Sequence, residues 1–167
     1  MVHGEREMMA EYICYGVLYI AEAIIAWLYM DALYCRRSSG FKIGLTFAAA
    51  YILLFCITWL DSVILNGTAF FLSNLLLLWR NYECKLKSAV LHSAFLTSIM
   101  ALTEIIAAWV ISLFGFRFGA YAYNLAVMIV MAVISKMLYF SLTVIAAKSL
   151  AAYRQKQEEP ALMGLLC

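Results

Sequence analysis

The stretch Tyr12–Tyr34, YICYGVLYIAEAIIAWLYMDALY, decides how this chain is read. Its 23 residues carry two charges, Glu22 and Asp31, in a run that is otherwise apolar or aromatic. A helix of about 20 such residues crosses the ~30 Å hydrocarbon layer of a bilayer. The head before it, Met1–Glu11, holds Glu5, Glu7 and Glu11 against Arg6 alone. A cleaved secretory signal wants a positive start and a short apolar run ending in small residues. An uncleaved first span behind an extracytoplasmic N-terminus is therefore expected.

The composition carries that reading to the whole chain. Of 167 residues, 66% are hydrophobic and 13% charged, with a mean hydropathy of +0.90. Soluble domains carry about 25% charged residues, so too little polar surface exists here to face water. Disordered chains are polar and charge-rich, which excludes disorder as well. The net charge of +2 implies no nucleic acid. The fold class expected is an all-α, polytopic membrane bundle of five helices.

Outward from the first span, the basic connector CRRSSGFK (Cys35–Lys42) leads to a second span, Ile43–Leu60. The third, Ser62–Trp79, follows almost directly. A turn at Asn66-Gly67 would leave Thr68–Trp79, about 18 Å of helix, too short to cross. The turn is thus expected at Asp61-Ser62, which also caps the third helix. A second basic connector, RNYECKLK (Arg80–Lys87), precedes a fourth span, Ser88–Phe114. The turn GFRFG (Gly115–Gly119) leads to a fifth, Ala120–Ala147, and a cytoplasmic tail, Lys148–Cys167.

Lysine and arginine near span ends are retained on the cytoplasmic side. Nine fall on one face: Arg36, Arg37, Lys42, Arg80, Lys85, Lys87, Lys148, Arg154 and Lys156. The other face receives Arg6 and Arg117 only. The N-terminus is expected outside and the C-terminus in the cytoplasm of a cell-membrane protein. Tyr12, Trp59, Trp109 and Tyr121 at outer ends, with Tyr34, Trp79 and Tyr82 at inner ends, read as interfacial anchors. Cys14, Cys35, Cys56, Cys84 and Cys167 show no metal-ligand spacing and read as free thiols.

Four ionisable residues fall inside spans: Glu22, His92, Glu104 and Lys136. A charge at the bilayer centre costs about 2.5–3.5 kcal/mol on insertion scales, so such groups face the bundle interior and pair. Glu22 and Glu104 each lie ten residues from an outer end, roughly 15 Å deep, and Lys136 roughly 24 Å deep. A Glu104–Lys136 pair is expected, since their spans are neighbours, with Glu22 as the second candidate partner. The pair can fix helix register, floor a ligand cavity or relay protons. His92, near the cytoplasmic interface, is expected to hydrogen-bond a neighbouring helix, as Asn74 is in the third span. Asp31 can reach the interface or Arg36 and Arg37.

No GxSxG, HExxH, glycine-rich phosphate loop or DxGxG occurs, so neither catalysis nor a cofactor or metal is expected. Two segments carry a resemblance: KLKSAVLHSAFLTSIMALTEIIAAWVISLFG and YNLAVMIVMAVISKMLYFSLTVIAAKSLA. With the steps Leu102-Thr103-Glu104-Ile105 and Ser135-Lys136-Met137-Leu138, and the basic exit at Lys148, they resemble the membrane sensor region of GHKL-type sensor histidine kinases of the accessory gene regulator, peptide quorum-sensing class. The similarity covers roughly residues 12–152. It implies a homodimeric bacterial sensor that binds an extracellular ligand, typically a peptide, and signals to a cytoplasmic kinase. The family's further spans, phosphoacceptor helix and ATP-binding domain have no counterpart here, and RQKQEEPALMGLLC reads as the approach to a span cut short. The alternative expectation is a small solute-binding subunit of a transporter; a purely scaffolding membrane role is the third.

Overall fold

Apolar side chains dominate every crossing segment, and a bilayer leaves their backbone groups no partner but one another. Helices are the outcome. The structure is a computed structural model that describes residues 2–60, 62–114 and 125–163. Five α-helices follow in order: α1 (Val2–Leu33), α2 (Gly40–Thr58), α3 (Val63–Asn81), α4 (Leu86–Ser112) and α5 (Leu125–Met163). Each is long and apolar enough to cross a membrane, and no strand accompanies them among the described residues.

Local chemistry sets the ends. Ser62, with extended backbone (φ −119°, ψ 108°), caps α3 by accepting from the Leu65 amide, so Asn66-Gly67 lies inside the helix. Asp61, the other half of the expected turn, lies outside the described residues, as does the whole of GFRFG. Helix α3 continues to Asn81, past the expected end at Trp79, because Asn81 is buried and donates to Thr46 Oγ1 at 2.9 Å. Helix α5 runs beyond Ala147 to Met163, and its crossing segment among the described residues is Ala126–Tyr153.

Each helix packs on the next in sequence, and α5 returns against α1 to close a five-membered ring. Contact between α1 and α5 advances together along both helices. Glu22 meets Lys136, and further on Tyr29 and Ala32 stand beside Ala147 and Ala151. The two helices therefore run parallel. Phe47, Tyr51, Leu54, Phe70, Leu78 and Leu96 fill the core, while Phe41, Val63, Ile64 and Leu91 are exposed on the outside of the bundle.

At one end the two basic connectors are joined. The Arg37 amide donates to the Asn81 carbonyl at 2.8 Å, and the Glu83 amide to the Cys35 carbonyl at 3.0 Å. Asp31 accepts from Arg36 Nε at 2.9 Å and from the Tyr82 hydroxyl at 2.8 Å. The opposite end is built from the α2–α3 turn and the start of the α1 crossing segment.

Candidate functional site

Lys136 sits between two carboxylates. Its ammonium pairs with Glu22 and, at 3.0 Å, with Glu104 Oε1. Three helices meet in this cluster: α1 supplies Glu22, α4 supplies Glu104 and α5 supplies Lys136. The sequence ranked Glu104 ahead of Glu22 as the partner, and the lysine bridges both. Counted from Ala126, Lys136 is ten residues into its crossing segment, as Glu22 is from Tyr12. The two ion pairs set the three groups at one level of the bundle; the expected start of the fifth span at Ala120 lies outside the described residues.

Their surroundings differ. The side chains of Glu22 and Lys136 are 7% and 11% exposed, whereas that of Glu104 is 47% exposed. The open side of Glu104 lines a cavity of about 450 Å³ that also takes in Glu22 and Lys136. Ser135, one position before the lysine, is buried on its wall. Thr58, Ser62 and Asn66 carry the polar lining towards the α2–α3 turn. Thr58 is hydrogen-bonded to Tyr19 and donates to Asn66 Oδ1 at 3.3 Å. The cavity therefore has a charged floor and a hydroxyl- and amide-lined wall.

Aromatic rings stand at its mouth. Trp59 lies 4.3 Å from the Tyr12 ring, 6.2 Å from Tyr15 and 5.9 Å from Phe55, centroid to centroid. Tyr15, Tyr19 and Trp59 line the cavity itself. Read from sequence, Trp59 is only an interfacial anchor, and Tyr19, Thr58, Asn66 and Ser135 draw no notice as a group. The recoverable signal was the Tyr19/Glu22 spacing, which puts a hydroxyl and a carboxylate on one helix face.

His92 is apart from this cluster. Its Nδ1 is hydrogen-bonded to the Tyr29 hydroxyl at 2.7 Å, with the Tyr34 ring edge-on at 5.4 Å. Tyr34 also reaches Ser88 at 2.6 Å. These bonds tie α1 to α4 near the joined connectors, the interhelical role expected of His92. Asn74 accepts from Tyr51 at 3.4 Å and donates to the Phe70 carbonyl at 3.0 Å. No group of three or more His, Cys, Asp or Glu side chains that could hold a metal ion occurs among the described residues.

Two charged clusters are thus separated along the bundle, one lining a cavity and one locking connectors, with α1 running through both. No family model matches the chain, and neither curated proteins nor solved structures give a match.

Proposed function

We propose that this chain is the membrane-embedded sensor module of a two-component signalling histidine kinase, responding to an extracellular ligand by helix rearrangement. The observation that supports it is the linkage of Lys136 on α5 to Glu22 on α1 and Glu104 on α4 inside one cavity. A ligand that competes for any of these groups changes how three helices share one charge. It shifts the packing by its differential affinity for the two arrangements. Helix α5 continues from Lys136 to Met163, about 40 Å at ~1.5 Å per residue, so one helix leads from the cavity to the far end. The joined connectors hold the ends of α1 and α3 meanwhile. In this reading the basic end faces the cytoplasm and the cavity mouth faces outside.

The test uses spin labels at Ser39, in the α1–α2 connector, and Tyr153, on α5, in the full chain reconstituted in nanodiscs. E104Q loosens one arm of the cluster and is expected to move the label distance by about 1–2 Å, the usual scale of helix shifts. An unchanged distribution overturns the sensor reading. Uptake of labelled methylammonium by proteoliposomes holding the chain would point instead to a transporter's solute-binding subunit.

A further inference from the structure

We propose that the cavity binds a small organic cation, an amine whose ammonium group docks on Glu104 and whose body lies among Tyr15, Tyr19 and Trp59. The inference deepens the ligand-sensing reading by naming the chemical class that the site selects, and it rests on that reading only for what binding does afterwards.

Charge comes first. Two carboxylates and one ammonium leave the floor with a net charge of −1 when all three are ionised. Glu104 is the half-exposed member, and its bond to Lys136 uses Oε1. An anionic ligand meets the wrong sign, because the lysine is already held by two partners. A cation completes the count. A charge left uncompensated beside buried groups is costly, and Glu22 and Lys136 are 7% and 11% exposed.

Ser135 points the same way independently. Several intramembrane hydroxyls in this bundle satisfy themselves on the preceding turn, whereas those of Ser93, Ser135 and Tyr139 have no hydrogen-bond partner among the described residues, and of these three Ser135 lines the cavity. Thr97, Ser141 and Thr143 each donate at 2.8 Å to the carbonyl four residues back. Ser135 is 1% exposed, lines the cavity and has no hydrogen-bond partner among the described residues. A buried hydroxyl without a partner is destabilising, and an ammonium N–H donating to its oxygen relieves that.

Size and aromatic lining select an organic cation over a metal. The volume of about 450 Å³ falls within the ~300–1,000 Å³ of small-molecule pockets. Tryptophan and tyrosine faces attract ammonium groups and cover hydrocarbon equally well. Thr58, Ser62 and Asn66 add hydroxyl and amide oxygens to the lining that can accept from an ammonium.

The test is calorimetric titration of the full chain in phosphatidylcholine nanodiscs with 2-phenylethylamine, against 2-phenylethanol of the same skeleton, subtracting empty nanodiscs. Saturable binding of the amine is expected, with the alcohol at least tenfold weaker. E104Q is expected to lose at least tenfold in amine affinity and S135A about threefold, while E83Q, at the connector end, matches the parent. A melting curve for each variant establishes that it is folded. Equal binding of amine and alcohol overturns the proposal, as does unchanged affinity in folded E104Q or competition by millimolar sodium. Amine binding with the Ser39–Tyr153 distance unmoved overturns the sensor reading alone; movement without preference for the amine overturns this inference alone.

Discussion

Removing Lys136 strands two carboxylates, whereas removing either carboxylate leaves the lysine one partner. Breaking a buried pair by deleting one member costs about 3–5 kcal/mol, so K136M is expected at that level. E22Q is expected to cost less, and E104Q least, because the Glu104 side chain is 47% exposed. Reversible unfolding in mixed detergent micelles measures the order K136M, E22Q, E104Q; an E104Q cost matching that of K136M contradicts the bridged arrangement. Charge reversal separates the bridge from a simple pair. The double change E104K/K136E restores one contact but sets a carboxylate at position 136 against Glu22, so its rescue is expected to be incomplete. The three charges were legible because an ionisable residue in an apolar run is conspicuous. Ser135, Thr58 and Asn66 were not, since a hydroxyl or amide inside a span is ordinary until the fold shows which of them face one space.

Helix ends follow local chemistry wherever a side chain supplies it, and tertiary contacts where it does not. Ser62 was readable as a cap because its alternative left a helix too short to cross. The extension of α3 to Asn81 was hidden, since it depends on Thr46, 35 residues away. The connectors show the same limit. As sequence they are basic loops; as structure they meet in an antiparallel bridge between Arg36 and Tyr82. Tyr82 is buried there and donates to Asp31, and burial, then that hydrogen bond, raise its hydroxyl above the ordinary tyrosine range. The stabilisation is whole below about pH 10, the unfolded value. It declines as pH rises above that, where the unfolded state ionises first. Y82F is expected to cost about 1.5–3 kcal/mol at pH 7, from losing a hydrogen bond to a charged acceptor, and to narrow its deficit between pH 10 and 12. Unfolding curves for the two proteins across that range measure the difference, in which the other tyrosines cancel. A deficit that stays constant with pH contradicts the Tyr82–Asp31 bond.

At the scale of the whole molecule, five crossings were readable and their closure into a ring was not. Lipid tails are as apolar as leucine, so no hydrophobic period separates the face that packs from the face that meets lipid. Only the sparse polar residues do so, and Glu22, Asn74, Ser93, Thr103, Ser135 and Thr143 are all buried. The orientation of the ring governs the ligand reading, because the cavity mouth lies at the α2–α3 turn and the basic connectors at the other end. The charge bias expects the connectors inside. Single-cysteine chains expressed in bacterial cells decide it: Cys35, exposed in the first connector, against Val63→Cys, at the 89%-exposed start of α3. A membrane-impermeant maleimide is expected to label the Val63 variant on intact cells and Cys35 only after permeabilisation. The reverse pattern turns the cavity towards the cytoplasm. An extracellular ligand then has no route to Glu104, and an amine that binds there must come from within the cell.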